Sequence, residues 1–367
     1  MDTSLDELVA EFDPGLPLER ARSLPSPWYL DPRVAALERE RVFGATWQLA
    51  ARADQLERPG DFVTTEVAGE PLLVLRDDAG ELRAFFNVCR HRAACVMTEP
   101  QGNARRLRCR YHGWTYDLRG QLRGLPEFEG VEDFRREEQG LVPVQVDRWG
   151  PLVFVHLGDT ASRLAEWLAP LPAEMGALED LRFHERREYT LACNWKVFVD
   201  NYLDGGYHVN TVHPALGSVL QYSEYRTECF ELTSLQSSPL RAGDDAAAAA
   251  TRKGDRARYA WAFPNVMINL YAGVMDTNVV LPLGTDRCRV LIDFYFADLD
   301  GERALDLARQ SVELGHRIQL EDLGVCEDVQ KGLGSRSYRT GRFSVRREIA
   351  IHHFHRLLAS RLQGRRG

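Results

Sequence analysis

No stretch of this 367-residue chain supplies the roughly 20 consecutive apolar residues that a membrane-crossing helix requires. The opening residues, Met1-Asp-Thr-Ser-Leu-Asp-Glu-Leu, lack the basic and apolar regions of a secretory signal, so a cytoplasmic protein with no membrane partner is expected. Basic residues are outnumbered by acidic ones, 46 to 54, and the net charge of −8 argues against nucleic acid as a general partner. No Gly-rich dinucleotide fingerprint follows a strand, so the chain cannot take electrons from NAD(P)H unaided. Its seven cysteines are odd in number and have no framework spacing, which argues against a disulfide scaffold. Cys95, Cys193, Cys229, Cys288 and Cys326 are scattered and are expected to act as small buried hydrophobes. No internal repeat is present.

With 44% hydrophobic and 27% charged residues, the chain has an ordinary globular composition and length for two domains. The expected division is an N-terminal segment and helix over 1–45, a small antiparallel β domain over 46–158, and a larger α+β domain over 159–367. A helix is expected from Pro32 to Phe43. Short alternating runs such as Phe62-Val-Thr-Thr-Glu-Val and Pro71-Leu-Leu-Val-Leu-Arg, separated by turn pairs such as Pro59-Gly60, predict the β domain. Gly150–His156 reads as its last strand. Beyond it, Leu164–Leu171, Trp195–His208 and residues 305–332 read as helices, and Val279-Val-Leu-Pro and Val290–Phe296 as strands of an antiparallel sheet. The low-complexity stretch 241–255 reads as a mobile surface loop.

Cys89-Arg-His91, seventeen residues, then Cys109-Arg-Tyr-His112 sets two thiolate–imidazole pairs at a spacing that two adjacent loops can bring together. Two Cys and two His suit zinc, but a common zinc finger segregates its Cys pair from its His pair. One Cys and one His in each pair suits a [2Fe–2S] cluster with two thiolates on one iron and two imidazoles on the other. The neighbouring Arg105, Arg106, Arg108 and Arg110 read equally well as a solvated strand face or a docking patch for an acidic redox partner.

A second constellation, Asn194 to Pro214, contains His208 and His213. Five residues turn a helix through about 500°, so the two rings converge only if a helix end or bulge lies between them, and Pro214 supplies a reason for one. Val197, Asn201, Asp204 and His208 share one helical face. Downstream, Ile318, Asp322, Val325 and Val329 repeat that spacing and place Asp322 in an apolar stripe, where a buried carboxylate needs a partner. Two His and one carboxylate form the ligand set of mononuclear non-haem Fe(II) oxygenases. His352, His353 and His355 read as core and surface positions of a final helix. For Tyr259, Trp261 and Phe263, core packing is favoured over an aromatic cage for a quaternary ammonium group.

Cys89-Arg-His-Arg-Ala-Ala with Cys109-Arg-Tyr-His-Gly-Trp-Thr-Tyr-Asp resembles the Rieske motif, with Arg92 and Trp114 in matching places. With the second constellation, the chain resembles the α subunits of Rieske non-haem iron oxygenases from about residue 27 onward. The likeness extends to choline monooxygenase and related enzymes acting on trimethylammonium compounds. It is carried by Asp200-Asn-Tyr-Leu-Asp-Gly-Gly-Tyr-His-Val, Met275-Asp-Thr-Asn, Gln319–Leu333 and Ile351-His-His-Phe-His-Arg-Leu-Leu.

The resemblance implies a [2Fe–2S] cluster on Cys89, His91, Cys109 and His112, and Fe(II) on His208, His213 and Asp322. It implies that a separate NAD(P)H-dependent reductase or ferredoxin supplies electrons, that O2 oxidises a small organic substrate, and that a homotrimer passes electrons from His112 to His208 of the next chain through an acidic bridge. The expected reaction is monooxygenation of an N-methyl or other C–H bond. The alternatives are an aromatic-ring dioxygenase and a Rieske electron-transfer protein without oxygenase activity. Two positions depart from the family pattern. The bridging acid commonly stands where this chain has Gly205, which leaves Asp204 as the candidate. Choline-type relatives tend to carry Asn-Arg-Tyr-Gly-Pro-Trp where this chain reads Asn269-Leu-Tyr-Ala-Gly-Val, which argues against choline itself.

Overall fold

In the computed structural model, Asp61–Val67 and Glu70–Arg76 form adjacent antiparallel strands, Val63 opposite Val74 and Thr65 opposite Leu72. Residues 3–158, 162–241 and 245–364 are described. Seven strands make the first sheet, in the spatial order Gln48–Arg52, Leu152–His156, Pro143–Trp149, Leu82–Phe86, Glu70–Arg76, Asp61–Val67 and Gln101–Asn103. Both faces of this sheet are covered. Leu72, Val74, Val153 and Val155 pack on one side, while Leu73, Leu75 and Phe85 pack on the other, with Cys89, Cys109 and Trp114. That explains why Glu70–Arg76 reads as an unbroken apolar run rather than an alternating one. A three-stranded sheet of Leu107–Arg108, Thr115–Tyr116 and Leu122–Gly124 presents the second Cys/His loop. These elements belong to one compact group, Phe43–Leu164.

The other group carries a seven-stranded antiparallel sheet ordered Arg182–Leu191, Cys288–Phe296, Val274–Pro282, Val266–Tyr271, Arg256–Ala262, Thr233–Pro239 and Arg226–Cys229. The helix Glu302–Leu333 lies against it, and Gly315 permits the approach: a Cβ there would sit 2.9 Å from the Phe294 ring. The helix Pro32–Arg41 is tied to the helix Trp195–Tyr202 by the buried Glu38, whose carboxylate accepts from Lys196 Nζ at 2.7 Å and Trp195 Nε1 at 2.8 Å. The fold is thus the expected α+β type, with mixed helices and antiparallel sheets.

Several local expectations are corrected. The helix from Trp195 stops at Tyr202 instead of reaching His208, because Gly205 and Gly206 take φ of +68° and +70°. A Cβ on Gly205 would lie 2.1 Å from the Arg347 carbonyl oxygen, so only glycine fits. Leu164–Leu171 divides into Leu164–Trp167 and Leu171–Met175. Within 241–255, residues 242–244 lie outside the described residues, but Ala246–Thr251 is a helix, capped by the Asp245 side chain and burying Ala248 and Thr251. Val325 and Val329 are 37% and 45% exposed, so the apolar stripe around Asp322 does not continue past it; Cys326 is the buried neighbour. Cys95 is exposed and Cys229 half-buried, whereas Cys193 and Cys288 are buried with sulfurs 3.8 Å apart.

Candidate metal centres

The two Cys/His loops repeat one backbone design. Cys89 N–H donates to Ala94 O and Cys109 N–H to Trp114 O, both at 2.8 Å; Ala93 N–H returns to Cys89 O and Gly113 N–H to Cys109 O, both at 3.0 Å. The fourth residue after each Cys has positive φ, +60° at Ala93 and +73° at Gly113, which turns each loop sharply enough to aim Cys and His the same way. Cys89 and Cys109 are buried and unbridged. His91 and His112 face each other with Nδ1 atoms 3.0 Å apart, His112 exposed and His91 stacked on Trp114 at 4.9 Å. Burial, helped by the charges of His112 and Arg92, holds His91 below its ordinary pKa and favours the neutral imidazole that a metal binds. Burial also pushes the Cys109 thiol up, while the amides of Tyr111 and His112 oppose this by pointing at its sulfur. Tyr116 Oη lies 3.4 Å from Cys89 Sγ and accepts from Arg90 N–H at 3.0 Å. Two shielded thiols beside two convergent imidazoles fit a [2Fe–2S] cluster with split ligation.

The second centre forms where the chain breaks. His208 and His213 flank the single turn Val209–Val212, one at each end, and this is how rings five residues apart converge. His208 Nε2 lies 3.0 Å from His213 Nε2, and Asp322 Oδ1 lies 3.1 Å from His213 Nε2 and 3.7 Å from His208 Nε2. With metal–ligand bonds near 2.1 Å, neighbouring ligands of an octahedron stand about 3 Å apart, so this triangle can hold one face of a metal's coordination sphere and leave the opposite side open. Among the described residues it is the one such group of three potential ligands. His352, His353 and His355 are not part of one. His352 and His355 are buried and His353 is half-buried, with His355 bonding Asp200 Oδ1 at 2.8 Å.

Each ligand is oriented by another side chain. Asp204 Oδ2 accepts from His208 Nδ1 at 2.5 Å and from its backbone N–H at 3.0 Å, so the carboxylate reaches the ring from one position earlier than the family spacing. Glu321 Oε2 bonds His213 Nδ1 at 2.7 Å, and Asn201 Nδ2 donates to Asp322 Oδ1 at 2.7 Å. Burial pulls the His213 pKa down, yet the bonds and charges of Asp322 and Glu321 outweigh it and hold the ring above its ordinary value. Such surroundings favour a cation at their centre.

A cavity opens beside this triangle. Tyr202, Tyr225, Tyr259 and Tyr271 line it, with Arg252 and Asp276. Tyr225 stacks on Tyr259 at 6.3 Å, and the Tyr259 and Tyr271 hydroxyls are 2.9 Å apart. The aromatic strand therefore divides: Tyr259 faces the cavity, whereas Trp261 packs on Phe354 and Phe263 as core. Sequence reasoning missed the roles of Glu321 and Arg252. For Glu321 the signal was its adjacency to Asp322; for Arg252 the low-complexity stretch concealed it.

Residues 46–135 match the Rieske [2Fe-2S] domain family, and residues 178–364 the family of the ring hydroxylating alpha subunit (catalytic domain). The chain is 40% identical to the choline monooxygenase of Arabidopsis thaliana, named as chloroplastic, over 98% of this chain and 88% of that protein. It is 31% identical to the carnitine monooxygenase oxygenase subunit of Escherichia coli, covering 82% and 83% of the two. A solved quaternary ammonium Rieske monooxygenase, described for carnitine oxidation and inter-subunit electron transfer, superposes with TM-score 0.83 at 27% identity, covering 98% of this chain and 99% of the other.

A β domain with a mixed Cys/His cradle, joined in one chain to an α+β domain with a two-His, one-carboxylate triangle, defines a Rieske oxygenase α subunit, and this chain belongs to that family. It is a Rieske non-haem iron monooxygenase with a [2Fe–2S] cluster and a mononuclear iron, and it uses a separate electron donor and a small-molecule substrate. No helix among the described residues is long and apolar enough to cross a membrane.

Proposed function

We propose that the enzyme inserts one oxygen atom into a C–H bond of a quaternary ammonium compound, at an N-methyl or neighbouring carbon. The observation that carries this reading is the tyrosine-walled cavity ending on His208, His213 and Asp322. A quaternary ammonium has no N–H to donate, so aromatic faces and nearby carboxylates are the surfaces that select it. The names of the choline and carnitine relatives agree with that chemistry. Cys89 and Cys109 hold one iron of the cluster and His91 and His112 the other; His208, His213 and Asp322 hold the mononuclear iron. The domain division 1–45, 46–158 and 159–367 is retained in this reading. So is the cytoplasm, a compartment that keeps seven unbridged cysteines reduced.

When bound, the cluster supplies single electrons and the iron activates O2. Inserting one oxygen atom consumes two electrons and two protons and releases the other oxygen as water; a hydroxylated N-methyl carbon then leaves as formaldehyde. Asp204 fixes the His208 tautomer with Nε2 towards the metal, Glu321 does the same for His213, and Asn201 holds Asp322 in place. Electrons come from a reductase or ferredoxin and cross between chains of a homotrimer, from His112 to His208 by way of Asp204. Supporting this are the exposure of His112, and of Tyr111 and Tyr207 at 58% and 57%, beside the two histidines.

Asp204→Asn preserves the side chain's size but alters the proton shared with His208. Cluster reoxidation by substrate and O2 is expected to slow about 10- to 100-fold with both metals retained, as read by stopped-flow absorbance. Normal reoxidation at unchanged metal content would move the bridge to Asp200 or Asn201. The function itself is tested by supplying a reductase, NADH and a panel of trimethylammonium compounds, with aldehyde release as the readout. Turnover of aromatic hydrocarbons with retention of both oxygen atoms, and none of the panel, would replace this reading with a dioxygenase.

A further inference from the structure

The cavity contains a charge that the proposed ammonium group does not explain. Arg252 is only 5% exposed. Its Nη1 donates to the neutral Ser311 Oγ at 2.6 Å, its guanidinium lies 4.7 Å from the Tyr271 ring centre, and its Nε has no acceptor. Among the described residues no carboxylate oxygen comes within 4.0 Å of it. Burying a guanidinium without an anion is costly, and a planar fork of donors suits a carboxylate.

Asp276 is an acidic group that feels the Arg252 charge. It lines the same cavity, and its Oδ2 accepts from Asn269 at 2.6 Å and Asn278 at 3.3 Å rather than from Arg252. Burial pushes its carboxyl up, and the Arg252 charge opposes this from a distance. One cavity thus presents a cationic group and, separately, an acidic group among tyrosine faces.

We propose that the substrate is a zwitterion, a quaternary ammonium carboxylate, and that Arg252, steadied by Ser311, binds its carboxylate; this rests on the quaternary ammonium reading above. An amino alcohol such as choline brings only positive charge and leaves Arg252 uncompensated. A betaine supplies the missing anion while its ammonium meets Tyr225 and Tyr259.

The test is equilibrium binding to the metal-loaded enzyme by calorimetry, with choline against glycine betaine, γ-butyrobetaine and carnitine. At least one carboxylated compound is expected to bind about 10-fold or more tightly than choline. Arg252→Gln should weaken that compound about 10- to 100-fold and move choline less than about 3-fold, with Arg252→Lys in between. Ser311→Ala should produce a smaller loss in the same direction. The comparison of ligands on the unmutated enzyme stands even where a variant misfolds. Choline binding as tightly as every betaine, or Arg252→Gln weakening choline and betaines alike, would overturn the zwitterion while leaving the ammonium reading intact. Binding of none of the four would remove the ammonium reading itself, and this proposal with it.

Discussion

Asp322→Ala is expected to empty the mononuclear site and abolish oxygenation while the cluster's colour remains. The carboxylate oxygen is one of the three potential ligand atoms of the triangle, at 3.1 and 3.7 Å from the two imidazole nitrogens, and among the described residues no other carboxylate joins that group. Iron binding should weaken by more than about 100-fold, beyond what the loss of a group behind a ligand costs. The neighbouring Glu321 is the informative comparison. It touches His213 Nδ1 and not the open face, so Glu321→Gln should weaken iron binding about 10- to 100-fold and regain activity in excess Fe(II). Metal analysis with oxygen uptake separates the two. Were Glu321→Gln to lose iron irrecoverably while Asp322→Ala kept it, the ligand assignment would shift by one residue.

Cys109→Ser is expected to bleach the protein. Cys109 is buried beneath a loop whose amides point at its sulfur, and no other exposed or buried thiol besides Cys89 belongs to that packing cluster. Bound iron should fall from about three per chain to about one, since [2Fe–2S] contributes two and the triangle keeps its own. Reductase-driven turnover should stop entirely. The wild-type protein should be red-brown with a reduced-state paramagnetic signal of mixed Cys/His ligation. A colourless wild type that takes up zinc alone after anaerobic reconstitution would contradict the split-ligand cluster.

Much of this was legible because the ligands lie in short, punctuated segments. The mixed Cys/His pairs needed only their spacing to be read, and the need for a helix break between His208 and His213 followed from helical geometry. The position of that break was misread: the Gly205-Gly206 pair was visible, but its conflict with the Arg347 carbonyl, 142 residues onward, was not. Glu321 stands beside Asp322 on one helix, but its contact with His213 depends on how that helix meets a distant loop. Arg252 was least legible, since an alanine-rich stretch between charged residues looks like a surface loop. Its burial becomes evident only when Ser311 and Tyr271 arrive from other elements.

In the proposed function, this chain inserts one oxygen atom of O2 into a quaternary ammonium compound. Its most direct test is a single turnover of chemically reduced, metal-loaded enzyme with a trimethylammonium compound and O2, without reductase, followed by mass analysis of the compound. The expected result, formed as the cluster reoxidises, is a molecule one CH2 lighter with formaldehyde released, or, where the neighbouring carbon is oxidised, trimethylamine and an aldehyde that carries the one added oxygen atom. Two oxygen atoms retained in the product, or a cluster that reoxidises while the compound stays unchanged, would contradict it.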